Sequence, residues 1–443
     1  MNFELSVYLL YSFALTIGFL LLLPRFLWDA ARKGKYAAGF LQRLGYLPDF
    51  DRQNKKIIWL HCVSVGEVNA AKPLAKALLE NFPDYRLVVS TTTKTGQALA
   101  QTIFHNQAAL VFYFPFDWQF TVRRVLQEIK PDVMLIMETE LWFNFLREAK
   151  RQNIKIALVN GRLSEKSFKN YSLIRGLMRK VLSNLDLALM SDAADARRIV
   201  DLGCDSQRVF VMGNIKYDLA INENENDLTR ELRARFDFEP GRPLIVAAST
   251  HEPEEKWILA AFKKLHKQID SARLMIVPRH PERFERIAEL IKESGFTLAR
   301  RSSELDKTDI QADVVLLDSV GELRAAYPLA ALVFVGGSLI PHGGQNILEP
   351  AAARRAIVTG FYTMNFAAVV KTFLAREAII QLSELKETEI PIALAENFRA
   401  LLSNDTKCAT LADNAFAVLQ ENSGATVKTI DKLQTELMSN SNF

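Results

Sequence analysis

Two kinds of apolar pattern alternate along most of this chain, and a third kind opens it. From Lys56 onward, short β-branched runs recur: IIWLHCV (57–63), RLVVSTT (86–92), ALVFYF (109–114), DVMLIM (132–137), KIALVN (155–160), DLALM (186–190) and RVFVM (208–212). Helix-like spacers such as VNAAKPLAKALLENF and FTVRRVLQEIK lie between them. Runs that are apolar throughout, separated by amphipathic helices, predict a parallel sheet covered on both faces. The rhythm breaks over 217–242, where NENEND and EPGRP read as a linker plus one charged helix. It then restarts with PLIVAAS (243–249), ARLMIVP (272–278), DVVLLD (313–318), ALVFVGG (331–337), AIVTG (356–360) and EAIIQL (377–382).

The expected architecture is therefore α/β, with two Rossmann-like parallel-sheet domains at 56–216 and 243–425 and a tail at 426–443. Open sheets of this kind bind ligands at the carboxyl ends of their strands. The two domains are expected to face each other across a cleft.

The third pattern is the uncharged stretch LSVYLLYSFALTIGFLLLL, residues 5–23. A helix of roughly 20 apolar residues is long enough to cross the hydrocarbon core. Residues 1–24 thus read as a membrane anchor or a deeply inserted monotopic helix, ending at Pro24, with a buried helix of the globular domain as the other reading. Arg25, Arg32, Lys33, Lys35 and Arg43 follow it, whereas only Glu4 precedes it. The positive-inside rule then places the body in the cytoplasm. A cleavable signal peptide would need a basic start and a small-residue cleavage site, and neither is present. The basic and aromatic segment 25–55 suits anionic lipid headgroups.

Composition changes this picture little. A chain of 443 residues exceeds one ordinary core, and a formal charge of +4 does not argue for a nucleic-acid partner. Cys62, Cys204 and Cys408 are scattered and odd in number, which suits reduced thiols in a cytosolic compartment. No metal site is expected. The one D-x-D, Asp49 and Asp51, lies before the body, and the histidines share no metal-ligand spacing.

The candidate chemistry sits where strands end. In HCVSVGEV, Gly66 allows a sharp strand-to-helix turn and places Glu67 at the sheet edge, where a carboxylate could take a proton from an attacking hydroxyl. Alternatively, Glu67 serves only the helix dipole. In METELW, Glu138 and Glu140 follow a buried strand, and spacing does not decide which of them faces the ligand. Arg162 in NGRLS and Lys216 in GNIKYD are candidates for phosphate or carboxylate binding.

The second half has STHEPEE, with Ser249, Thr250 and His251 on an anion-presenting loop, and PRHPERF, with Arg279 and His280 between two prolines. GGSLIPHGGQNILEP contributes Gly336, Gly337, Ser338, Gly343, Gly344, Asn346 and Glu349. Its glycines would let phosphate oxygens approach the backbone at the start of a helix, while Glu349 would accept from ribose hydroxyls. Neither GxxxxGK[ST] nor GxGxxG occurs there.

In this order, SVGEV, METELW, NGRLS, GNIKYD, STHEPEE, PRHPERF and GGSL–HGGQNILEP resemble the bacterial 3-deoxy-D-manno-octulosonic acid (Kdo) transferases. The resemblance implies a GT-B fold and transfer of Kdo from CMP-Kdo to the lipid A precursor at the inner membrane, with no further cofactor. It also implies Glu67 as general base, Glu138 and Glu140 as a second acidic element, and Arg162, Lys216 and Arg279 on phosphate or sugar carboxylate. The 336–338 turn, Asn346 and Glu349 would hold CMP. One departure is Phe143, where the family usually has proline. Other readings are a UDP-sugar transferase, a UDP-N-acetylglucosamine 2-epimerase relative, or a membrane-tethered nucleotide-binding protein without catalysis.

Overall fold

The structure, a computed structural model, describes residues 3–33, 39–218, 227–238 and 241–438. The chain divides into two compact units, one made of 1–219 with 423–443 and the other of 220–422.

The first unit is a seven-stranded sheet in which every pairing is parallel. Its strands are β1 (Lys56–Cys62), β2 (Tyr85–Thr91), β3 (Ala108–Tyr113), β4 (Val133–Met137), β5 (Lys155–Gly161), β6 (Leu187–Met190) and β7 (Val209–Val211). They lie in the order β3-β2-β1-β4-β5-β6-β7. Successive residues feed opposite faces. Ile57, Trp59, Met134, Ile136, Ile156 and Leu158 enter one core. Ile58, Leu60, Cys62, Val133, Leu135, Ala157 and Val159 enter the other. Both faces are apolar, which is why the strands read as unbroken hydrophobic runs.

The second unit repeats the plan with β8 (Leu244–Thr250), β9 (Arg273–Pro278), β10 (Leu298–Arg300), β11 (Val314–Leu316), β12 (Leu332–Val335), β13 (Ala356–Thr359) and β14 (Ile380–Gln381). The order is β10-β11-β9-β8-β12-β13-β14, again parallel. The sequence pattern missed β10, a three-residue edge strand without a hydrophobic run. In each sheet the connections run to one side of the first strand and then cross to the other. The switch points therefore lie beside the carboxyl ends of β1 and β4, and of β8 and β12.

The expected 426–443 tail is structured as far as residue 438. The helix Ala425–Leu433 buries Ala425, Ile430 and Leu433 in the first unit's core, and Met438 joins them. Asp218 accepts from the backbone N–H groups of Gly424 (2.7 Å) and Thr426 (2.6 Å), fixing the start of this helix. The charged helix expected near the linker is Asp227–Phe236; residues 219–226, with NENEND up to Asn226, and Glu239 and Pro240 of EPGRP lie outside the described residues. All three cysteines are free thiols, and Cys62 and Cys204 are buried.

The opening helix spans Phe3–Lys33, continuing through Pro24 instead of stopping there. One face rests on the first unit. Tyr11 donates to Asp117 (2.9 Å), and Ser12 accepts from Asn144 (3.0 Å). Thr16 accepts from the Trp118 indole (3.1 Å), while Phe19 packs edge-on to Trp118. Leu10, Phe13, Ile17, Leu20 and Leu21 form the opposite, exposed face. Among the described residues no helix is long and apolar enough to cross a membrane. Arg43, expected to meet lipid headgroups, instead donates to the carbonyl of Thr92 and stacks on the Tyr113 ring.

Candidate active site

The carboxyl edge of the first sheet gathers five of the predicted residues. Glu67 lies in the first turn of the helix Val65–Asn81, directly after β1. Its carboxylate accepts from the Val63 amide (2.8 Å) and the Ser64 hydroxyl (3.1 Å). Burial pushes its pKa up to about 7, and the charges of Glu138 and Glu140 add to the rise. Glu140 is also raised, by burial and then by Glu138. Both carboxylates after β4 thus act on Glu67, because the chain turns there instead of continuing as a strand. Glu138 takes a left-handed φ of 56°, a conformation that costs a non-glycine residue about 1 kcal/mol or more.

Glu138 is where the predicted cations converge. Lys216 Nζ lies 3.3 Å and Arg162 Nη1 3.7 Å from its Oε1. Two cations against one carboxylate leave positive charge at Glu138, available to an anionic ligand. The backbone is built for this. Between Val159 and Gly161 the register of β5 against β6 slips, and Asn160 is left with φ 52°. Its side-chain oxygen accepts from the Ile215 amide (3.0 Å), next to Lys216.

The second sheet has a matching irregularity. The register of β8 against β9 slips between Ala248 and Thr250, giving Ser249 a φ of 53°. The loop that follows brings His251 into edge-on contact with His280 (5.3 Å between ring centres) and His342 (4.8 Å). His251 Nδ1 lies 3.1 Å from the Ser249 carbonyl, an acceptor, so Nδ1 carries the proton and Nε2 is the acceptor. Burial and then His342 pull its pKa down to about 4. The Arg279 amide donates to the Thr250 carbonyl (3.0 Å), and its side chain is exposed.

Three expectations need correction in this unit. The amides of the 336–338 turn do not stand ready for phosphate. Those of Gly337 and Ser338 donate to Glu254, at 2.7 and 3.0 Å. The Ser338 hydroxyl is fully buried, donating to the Val335 carbonyl and accepting from the Gly360 amide. The expected anion-binding helix is only five residues, Leu348–Ala352, with Asn346 capping the Leu348 amide at 3.0 Å. Glu349 is held by Arg324 at 3.1 Å, so the predicted ribose acceptor already has a partner. Gly344 donates to the Gly337 carbonyl (2.8 Å) and Gly343 packs against Asn365, which ties the second glycine turn to the first.

Residues 38–219 match the family described as 3-Deoxy-D-manno-octulosonic-acid transferase (kdotransferase). A 3-deoxy-D-manno-octulosonic acid transferase of Haemophilus influenzae is 32% identical over 412 residues, 93% of this chain and 94% of that protein. This chain belongs to the Kdo transferase family. It is a glycosyltransferase.

A Chlamydia trachomatis serovar D enzyme of the same description is 28% identical, with 97% of each chain covered. Among solved structures, UDP-GlcNAc 2-epimerase from Neisseria meningitidis bound to UDP-GlcNAc aligns with a TM-score of 0.58 at 13% identity, covering 86% of this chain and all of that one. A glycosyltransferase from Rickettsia africae gives 0.56 at 14%, covering 88% and 100%. These two likenesses concern the GT-B-type fold alone.

Two residues of this Kdo transferase escaped the sequence reading. His342 looked isolated, 62 positions beyond His280 in the chain. Glu254, an acidic residue in a first helical turn, has nothing in its sequence context to set it apart. It is the first residue of the helix Glu254–His266 and is fully buried. A charged residue in STHEPEE that must be buried leaves no mark on spacing.

Proposed function

We propose that this enzyme transfers Kdo from CMP-Kdo to the lipid A precursor, lipid IVA, as a step of lipopolysaccharide core biosynthesis. The observation that carries the reading is the Glu67 carboxylate, whose pKa of about 7 matches a general base at neutral pH. Glu67 takes the proton of the acceptor hydroxyl. The hydroxyl oxygen bonds to the anomeric carbon, whose bond to the phosphate oxygen breaks. That electron pair leaves with CMP. One such displacement inverts the anomeric centre and needs no metal ion. Lys216 and Arg162 meet an anionic group of a substrate, and Arg279 and the His251 loop of the second unit, backed by the glycine turns, hold the donor.

The acceptor is a membrane lipid, and the opening helix suits attachment to the cytoplasmic face of the inner membrane. With one face on the protein, the other offers Leu10, Phe13, Ile17, Leu20 and Leu21 to the bilayer, as a helix lying in the interface does. Exposed Trp28, Phe40 and Leu41 extend this apolar surface towards anionic headgroups.

Incubating the purified protein with CMP-Kdo and tetra-acylated lipid IVA, without added metal, is expected to raise the acceptor mass by whole Kdo units. An unchanged acceptor mass would overturn the reading. Flotation with anionic vesicles tests the attachment, which L20S/L21S is expected to weaken. Flotation equal to wild type would remove the helix from the account.

A further inference from the structure

Glu254 is a side chain whose carboxylate is used up by the protein itself. Oε2 accepts from the amides of His251 (2.9 Å) and Gly337 (2.7 Å). Oε1 accepts from the amides of Ser338 (3.0 Å) and Leu339 (2.9 Å). The His251 carbonyl in turn accepts from the Glu254 amide at 2.7 Å. Every neighbour bonded to the carboxylate is an N–H donor and none can accept a carboxyl proton, so these bonds favour the anion against the burial that raises its pKa. Three consecutive amides converging on one carboxylate resemble the cradle that other glycine turns offer to a phosphate.

The glycines agree. A Cβ on Gly336 would lie 2.9 Å from Glu254 Oε2 and 2.8 Å from the Ser249 carbonyl. Gly337 has φ 64°, and a Cβ there would meet His251 Cε1 at 3.4 Å. Gly336 is therefore explained by the approach of Glu254 and the Ser249–Thr250 backbone, and Gly337 by its left-handed φ, with no ligand needed.

We propose that Glu254 is a positioning residue: an internal anion that locks the 337–339 turn to the His251 loop and so holds the donor-binding surface of the second unit ready. The inference rests on the reading that this unit binds the CMP portion of the donor. Glu254 acts through the turn and the loop and does not touch the substrate. Without its charge the three amides would be free to rearrange, and donor binding would have to reorder them.

Glu254→Gln tests this. Glutamine keeps the shape but has one acceptor oxygen and turns an NH2 towards the other amides. The expected result is donor KM, and the Kd of CMP by calorimetry, raised about tenfold or more, with kcat within about threefold. Amide hydrogen exchange over 337–339 should quicken in the same variant. A folded E254Q with wild-type KM, CMP affinity and exchange would overturn the proposal, since mere destabilisation lowers the active fraction without moving KM. If wild-type protein bound no CMP while exchange still quickened in E254Q, the donor reading would fail and the lock would stand. If E254Q does not fold, Gly337→Ala strains the same turn with Glu254 intact. That variant should raise donor KM likewise, and an unchanged KM would overturn the proposal.

Discussion

Each of the two sheets sets a glutamate in the first turn of the helix that follows its first strand, and the two meet opposite fates. Glu67 receives one amide and one hydroxyl, in the company of two further carboxylates. Glu254 receives four amides. Both are buried at a switch point, so burial alone does not separate them. The number of donors does. Burial raises the pKa of both; at Glu254 four amides oppose the rise, whereas at Glu67 fewer donors oppose it and the charges of Glu138 and Glu140 add to it. The same strand–turn–helix geometry thus leaves one carboxylate short of donors and saturates the other with amides.

The sharpest way to break this contrast is Glu67→Gln. On the role proposed for Glu67, kcat should fall by about 10²–10⁴-fold with donor KM unchanged, read as CMP release at pH 8. The same change should stabilise the fold. Glu67 binds its proton more tightly in the folded state than in the unfolded one, so its ionisation costs stability as pH rises from the ordinary carboxylate range towards 7. Above that range E67Q is expected to melt a few degrees higher than wild type, and to lose this advantage at pH 4. Equal melting at pH 8 would contradict the strained carboxylate.

Gly336→Ala attacks the other glutamate. Its Cβ would press on Glu254 and the Ser249 carbonyl, and donor KM is expected to rise about tenfold in steady-state assays. Lys216→Met leaves Glu138 with Arg162 alone. Losing that positive charge raises Glu67 further, so the acid limb of kcat/KM, expected near pH 7 in wild type, should move up and activity at pH 7 should drop severalfold. Glu138→Gln should do the reverse, drawing the limb below pH 7 by roughly half a unit to one unit, whatever its effect on the maximal rate. A limb that ignored both substitutions would mean that Glu67 is not the titrating base.

Much of this was legible in the sequence because burial on both faces writes itself as continuous apolar runs. Those runs located thirteen of the fourteen strands among the described residues, and Glu67, Glu138, Arg162, Lys216 and His251 do stand just past strand ends. Where the reading went astray, the cause was competition for a group that was correctly found. The amides of the 336–338 turn exist as expected, but Glu254 takes two of them; Glu349 is acidic as expected, but Arg324 holds it. The helix at the start of the chain is apolar as expected, yet Tyr11, Ser12, Thr16 and Phe19 spend one face on the protein.

By itself, then, the sequence determined which segments are buried, where each strand stops and which side chains stand at those stops, since periodicity and turn chemistry are local. The tertiary structure alone decided which partners those side chains keep. Glu254 lies 83 residues from Gly337, and Lys216 lies 78 from Glu138. Whether a buried carboxylate becomes a base or a strut depends on donors and charges that only the folded chain brings within hydrogen-bond distance.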